Sequence, residues 1–493
     1  MTLLAIDVGT THCKAALFSQ AGKLLHVASR PMLAERAASV SGDYACYEPE
    51  RLWRMLCEAI DEVTARADRP RLATIGIASM AETGMLVDRR HGVPRSPFLP
   101  WFDTAAAPLA ELIERQAPAA ERFGVFGIYP SFKCSLAKIL WWRKQASQTL
   151  TGLVWLSVAD YIAYRLTGTL ATDYSLAGRT YAFDLRRRAW ANTWLEQLGL
   201  PGELFPAARP AGTASGVSSS GFDQIGLAAG VPVVIAGHDH VCAALAAGVA
   251  PGAQVFDSMG TAEVLIGAIA PRELSAAECE SGLSFGYLPG SSAMYWLGGL
   301  SSSGGALEWL RAILGDRPLT YADLRQLQER MSLQPGTIIF LPYLAGSSAP
   351  HPDPARRGAF IGLDAAHDRA DLLKAVLEGT AYQIEAIRQS AMNIAGAPIT
   401  QLVAAGGGAR NRRWLQIKAD IHGARIDIPT IDEASLFGAA LIGGIGAGVY
   451  ANEAEARAVA AGQTYSTLAP DAERHLAYAR AFAEFWRWQA RLQ

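Results

Sequence analysis

The chain of 493 residues carries 44 Lys and Arg against 46 Asp and Glu, a formal net charge of −2, and half of its residues are hydrophobic. That length exceeds one ordinary core and predicts two large domains, while near-neutrality without a block of like charge excludes a nucleic-acid tract or a basic membrane-binding face. The cysteines Cys13, Cys46, Cys57, Cys134, Cys242 and Cys279 form no CxxC pair, so reduced thiols in a soluble, cytoplasmic enzyme are expected. Gly226 to Val249, the most apolar stretch, is interrupted by Pro232 and His238-Asp239-His240 and falls short of a membrane span.

In chain order, Leu3–Val8, Ala15–Phe18 and Leu24–Ala28 read as strands punctuated by Gly9 and Gly22. Glu50–Arg66 has helical spacing, Leu72–Ala78 and Met85–Val87 return to strand character, and Leu136–Trp142 and Ala159–Leu166 read as helices. After Pro251 the opening pattern recurs. Gln254–Ser258, Glu263–Ala268 and Ala293–Leu297 are predicted strands, and Gly305–Leu314 and Asp371–Ala395 helices. Then follow Gln401–Ala405 (strand), a glycine turn, Arg412–Ile421 (helix), Arg425–Ile428 (strand) and Ser435–Ala447 (helix), with a last helix at Leu476–Leu492 able to pack on either half. The mixture predicts α/β organisation, with a boundary near Leu245–Gly252 and a hinged cleft between the halves.

Each half carries a Gly-Thr in its first strand turn. Asp7-Val8-Gly9-Thr10-Thr11, with Lys14 beyond, aims backbone N–H groups and two hydroxyls at one point, which suits a polyphosphate. Asp7 at a strand end can hold Mg²⁺ through water. On these residues alone a plain hairpin turn, with Gly at positive φ and Thr as strand formers, is the favoured reading, because short Gly-Thr turns are common. Ser258-Met259-Gly260-Thr261 and Gly406-Gly407-Gly408-Ala409-Arg410-Asn411 are further strand-end turns, and the three together describe a nucleotide across a domain interface. No GxxxxGK[ST] loop or GxGxxG fingerprint is present. In Gly237-His238-Asp239-His240, Asp239 can accept the proton of an attacking hydroxyl, or cap a helix beginning at Val241. Zinc is disfavoured, because no third His or Cys stands near His238 and His240.

These residues resemble the FGGY carbohydrate kinases. Gly358-Ala359-Phe360-Ile361-Gly362-Leu363, seven residues, then Asp371-Leu372-Leu373-Lys374-Ala375-Val376-Leu377-Glu378 fits that family's C-terminal signature at every constrained position. Ser135 to Gln145 nearly fits the other signature, with Lys133 and Trp142 off-pattern. Trp101-Phe102-Asp103, Thr172-Asp173-Tyr174-Ser175 and Leu341-Pro342-Tyr343-Leu344 extend the resemblance.

The resemblance implies two actin-like (ribonuclease H-like) ATPase domains, residues 1–247 and 248–493, with an ATP and sugar cleft between them. It implies ATP and Mg²⁺ as cofactors, with Asp7 and Asp239 on the metal and Thr10, Thr11 and Lys14 on the terminal phosphates. Gly260 and Thr261 would hold phosphates from the second domain, and Gly304, Gly407, Gly408 and Asn411 would line the adenosine. Asp239 looks like the general base; Glu82, Asp103, Asp239 and His240 would face the acceptor. The expected reaction is phosphorylation of a primary hydroxyl of a ketose or polyol. A xylulose-type ketose is favoured over L-fuculose, erythritol, a tetrulose or glycerol. A homodimer is left open. A sensor of the same fold without sugar phosphorylation is the reading from another class. The acceptor side departs from the pattern: Ala81 stands where glycerol kinases have Arg, Ala105 where an Arg often follows Trp-x-Asp, and Ser347-Ser348 where Glu-Arg is usual.

Overall fold

The computed structural model describes residues 1–116, 118–146, 149–252, 254–430, 433–462 and 465–492. The first sheet contains β1 (Thr2–Val8), β2 (His12–Ser19), β3 (Leu24–Pro31), β4 (Leu72–Ser79), β5 (Ala214–Val217) and β6 (Pro232–His238), in the order β5-β6-β4-β1-β2-β3. The second contains β7 (Val255–Met259), β8 (Glu263–Ile269), β9 (Ser284–Tyr287), β10 (Met294–Leu300), β11 (Gln401–Ala405), β12 (Arg425–Pro429) and β13 (Tyr465–Leu468), in the order β9-β10-β8-β7-β11-β12-β13. In both, an antiparallel three-strand meander is followed by two parallel strands and one antiparallel edge, and in the second sheet β9 adds a further antiparallel strand beside β10. The duplication that is faint in the sequence is therefore plain in the topology. The strand β9 was not anticipated, because Ser-Phe-Gly-Tyr is too short to show a period.

Register explains why chemistry gathers at one edge. β1 is parallel to β4 with Val8 opposite Ser79, and β4 to β6 with Ser79 opposite His238. Each of these strands is largely buried on both faces and, apart from Thr74 in β4, mostly apolar until its last residues, as a central parallel strand must be. Polar residues thus begin together, at the carboxyl ends, where α/β sheets bind ligands. In the second sheet Ser258 lies opposite Ala405, which brings the turns that follow β7 and β11 to one edge too.

The helices that bear on the site are α1 (Pro49–Arg66), α2 (Val158–Thr167), α3 (Asp239–Ala246), α4 (Gly304–Ile313), α5 (Arg369–Ala395), α6 (Arg412–His422), α7 (Ala434–Gly446) and α8 (Ala472–Arg491), with others between. Two of them cross between the sheets. From α3, Val241 and Ala244 pack with Phe256, Ile266 and Val403 of the second sheet, while Cys242 and Leu245 pack with Leu436 and Ala440 of α7. In return, α7 lies on β4 and β1 of the first sheet. Packing is interleaved, although the strands of the first sheet all precede those of the second in the chain. The last helix, α8, packs on the second half, where the Tyr478 hydroxyl donates to Glu378 at 2.9 Å.

Candidate active site

Asp7 stands at the end of β1, directly across the hairpin from Lys14. Its Oδ1 is buried without a hydrogen-bond partner. Burial, then the neighbouring Asp239 carboxylate, push its pKa well above the usual carboxylate range, and Lys14 only partly opposes them. Two carboxylates brought together with one oxygen left orphaned form a donor set suited to a hard divalent cation. The turn beyond is braced, with Trp101 Nε1 donating to Thr10 Oγ1 at 2.9 Å and the Tyr47 hydroxyl to the Thr10 carbonyl at 2.7 Å. Thr11 is exposed. Lys14 donates to both oxygens of Glu433, at 2.9 and 2.7 Å. Glu433 immediately precedes α7, so this ion pair ties the first turn to the crossing helix.

Asp239 opens α3 as its first residue and accepts from its neighbour His240 N at 2.6 Å. The cap of a helix starting at Val241 is not what it forms. Gly237, at φ 114°, sits at a bulge in β6 and presses on Ser175, whose hydroxyl accepts from His238 N at 2.9 Å. Ser175 is in turn held by Asp173, the cap of the helix Tyr174–Ala177. The motif Thr172-Asp173-Tyr174-Ser175 thus buttresses the strand end that aims Asp239. His238 is buried, which pushes its pKa down to about 3, so its ring is neutral; its Nε2 lies 3.3 Å from Asp239 Oδ1. His240 Nδ1 shares a hydrogen bond with Ser258 Oγ at 3.0 Å, joining the Asp239 segment to the second half. Ligand atoms of His238, Asp239 and His240 lie within 4.8 Å of one another, so the third donor that the sequence lacked among His and Cys is Asp239 itself.

On the second half, Gly304 N donates to the Gly260 carbonyl at 3.2 Å, and a Cβ at Gly304 would meet that oxygen at 2.5 Å. Gly406, at φ 99°, presses on the Met259 carbonyl, whereas a Cβ at Gly407 would meet nothing within 4 Å. The first two glycines close the turns together; Gly407 faces open space. Asn411 Oδ1 caps α6 through Trp414 N at 3.1 Å. Beneath lies a group that sequence reasoning missed. Lys418 is fully buried, with Nζ 2.5 Å from Asp257 Oδ2 and also bonded to Glu263, which accepts from Ser303 Oγ at 2.5 Å. It fastens β7, β8 and the start of α4 around the Gly260-Thr261 turn.

Also in the first half, Arg179, whose charge is felt at His238, donates through Nε and Nη2 to Glu82 Oε1, at 3.1 and 2.6 Å. Burial alone would raise the Glu82 pKa, but Arg179, Lys138 and Lys133 outweigh it and hold the carboxyl below its ordinary value. Glu82 has φ 65°, a strained setting for a non-glycine residue and the kind retained at functional sites. Asp103 is committed to the backbone, accepting from Ala45 N at 2.6 Å and Ala105 N at 2.9 Å. Ser348 Oγ bonds Ser301 Oγ at 2.9 Å.

Residues 2–246 match the model of the FGGY family of carbohydrate kinases, N-terminal domain, and residues 258–447 that of its C-terminal domain. The chain belongs to the FGGY carbohydrate kinases. It is 29% identical over 462 residues to a glycerol kinase from Gloeobacter violaceus, covering 92% of this chain and 90% of that protein. It is 26% identical over 457 residues to a xylulose kinase from Bacillus subtilis, covering 90% and 88%. The crystal structure of a xylulose kinase from Rhodospirillum rubrum superposes with a TM-score of 0.88 at 24% identity, covering 100% of this chain and 99% of that one, a likeness of fold.

As an FGGY carbohydrate kinase the protein is a phosphotransferase with an alcohol acceptor and ATP as donor, built on two actin-like, ribonuclease H-like domains. No helix among the described residues is long and apolar enough to cross a membrane. The candidate site residues of this FGGY kinase come from both halves, Asp7 and Asp239 at one sheet edge and the Gly260-Thr261 and Gly407 turns at the other. Arg179, Lys133, Lys418 and Glu433 were not singled out as site residues from the sequence. Only Lys133 left a signal there, as a position off the family pattern.

Proposed function

We propose that this kinase transfers the γ-phosphoryl group of Mg-ATP to a primary hydroxyl of a ketose or polyol. The observation that carries the reading is the pairing of Asp7 and Asp239 at the ends of the two strands that flank β4, one carboxylate oxygen orphaned, between two Gly-Thr turns from opposite halves. Asp7 and Asp239 would hold Mg²⁺ through water, and the ion when bound supplies charge neutralisation at the transferring phosphoryl group. Thr10, Thr11 and Lys14 would face the terminal phosphates from the first half, and Gly260 and Thr261 from the second. Gly304, Gly407, Gly408 and Asn411 would line the adenosine.

Asp239 accepts the acceptor's hydroxyl proton as the phosphorus–oxygen bond forms. The buried, uncharged His238 beside it forms no ion pair with Asp239, and so leaves that carboxylate available. Closure of the halves, to which the His240–Ser258 bond contributes, excludes water and brings the reactants into line. The test is ADP release from purified protein with Mg-ATP and a panel of ketopentoses, deoxyketohexoses, tetruloses and polyols. Acceptor-dependent ADP that vanishes without Mg²⁺ and survives a zinc-selective chelator is the expected result. Nucleotide binding with no acceptor-dependent ADP would favour a sensor instead.

A further inference from the structure

Around Glu82 the charges do not balance. Three cations, Arg179, Lys133 and Lys138, face this one carboxylate. Asp103 offsets part of this charge at Lys138, while both of its oxygens already accept backbone N–H groups. Lys138 is spent on the carbonyls of Glu82, at 3.0 Å, and of Lys133. The other donors are not spent. Arg179 Nη1 and the Tyr295 hydroxyl are buried facing each other, with no partner at good hydrogen-bond geometry, and the hydroxyl proton has no acceptor. The Lys133 ammonium lies 5.4 Å from the centre of the Trp101 ring, and among the described residues it donates no hydrogen bond to a protein acceptor. Trp101 in turn holds Thr10 of the first phosphate turn, so this unspent charge borders the reaction centre.

A buried donor without a partner costs about 1–3 kcal/mol, and a buried unpaired charge more. The groups left over are donors and cations, which a neutral polyol satisfies in part and a carboxylate satisfies fully, since it only accepts and takes Arg and Lys together. We infer that the acceptor is a sugar acid: a polyhydroxylated chain whose hydroxyl meets Asp239 and whose carboxylate lies between Lys133 and Arg179. Burial lowers the pKa of Lys133, and that of Lys138 to about 8, with Glu82 opposing in both. Lys133 sets the class of substrate; it stands where the family pattern calls for a different residue type, and Ala81 nearby adds no charge.

The inference rests on the kinase reading above, and the experiment separates the two. Full-length protein with Mg-ATP is given gluconate, xylonate and threonate, each beside its alditol (sorbitol, xylitol, threitol), with xylulose and glucose 6-phosphate as further arms. At least one aldonate is expected to exceed its alditol in kcat/KM by about 10²-fold, the weight of one buried charge pair. Lys133→Met should bring that ratio within about tenfold while KM for ATP stays unchanged, and Lys133→Gln serves equally if the Met variant does not fold. Preference for an alditol or xylulose would overturn the inference and leave the kinase standing. Preference for glucose 6-phosphate would overturn the carboxylate as the anion. No acceptor-dependent ADP in any arm would overturn both.

Discussion

At Gly438 in α7 there is no room for a side chain, because a Cβ there would stand 2.0 Å from the carbonyl oxygen of Cys242 in α3. The same helix touches β4 backbone to backbone, with a Cβ at Gly76 meeting the Ala439 carbonyl at 2.1 Å. Gly438 is thus the means by which the two crossing helices lie in contact, while Gly443 lets α7 meet Gly76 of β4. Gly438→Ala should gain about 1 kcal/mol of helix propensity and lose more to overpacking, for a net loss of about 1–2 kcal/mol. The urea midpoint at constant m-value measures it; an unchanged or higher midpoint would mean the helices separate without cost.

Asp239→Asn keeps the shape at the start of α3 and removes the proton acceptor. Turnover should fall by about 10²–10⁴, the weight of a general base, while nucleotide affinity by calorimetry stays within a few-fold. Near-normal turnover would exclude the base role.

Lys418 has zero exposure, between Asp257 and Glu263. Removing its charge in Lys418→Met leaves two buried carboxylates facing each other, at a cost of about 3–5 kcal/mol. Because the group fastens the Gly260-Thr261 turn, the KM for ATP should rise while that for the acceptor does not. A variant that loses stability but keeps both KM values would make the network purely structural.

How much of this was legible in the sequence follows from what each feature rests on. The strands β1, β4 and β11 were readable because central strands are continuous apolar runs, and Asp7, Asp239 and the Gly-Thr turns because they sit where those runs end. Long-range pairs were not. Nothing local to Lys14 names Glu433, 419 residues away, and nothing in α6 says that Lys418 reaches β7 and β8. The role of Arg179 follows from folding Tyr174–Ala177 against β6, a contact that no spacing encodes. Residue type at each position was informative, and the cross-chain pairing of charges was not.

Glu82 and Asp103 were expected to share recognition of the acceptor, and the structure now distinguishes their surroundings. Glu82 is held by Arg179 with its other oxygen free of protein donors among the described residues, while both Asp103 oxygens accept backbone N–H groups. Glu82→Gln should therefore lower kcat/KM for the acceptor by about 10²-fold, as loss of a buried charged hydrogen bond does, with KM for ATP nearly unchanged. Asp103→Asn should act mainly on stability, since one backbone donor loses its partner. A larger acceptor effect from Asp103→Asn would reverse the assignment.

The last prediction concerns pH and a residue of the family's C-terminal signature. Glu378 lies deep in α5, accepting from the Tyr478 hydroxyl of α8 and from Gly336 N at 3.1 Å. Burial raises its pKa to about 7, against an ordinary 4.5, with Lys374, Tyr478 and Gly336 opposing. The folded protein therefore keeps a proton at Glu378 up to about pH 7, where the unfolded chain releases it near 4.5. Stability from this group is fully present below 4.5 and is lost as pH rises through about 7. A gap of that size is worth about 3 kcal/mol at most, less whatever relaxation of the site recovers. Glu263 and Asp160 are raised to about 7 as well, so the wild-type fall in stability sums several groups. Glu378→Gln keeps an acceptor for Tyr478 and cannot titrate, so its own slope should be shallower. Tm measured from pH 5 to pH 8 for both proteins should show the variant losing less, and the difference between the curves should grow with pH. Parallel curves would place the proton elsewhere and leave Glu378 ionised in the fold, held by Lys374.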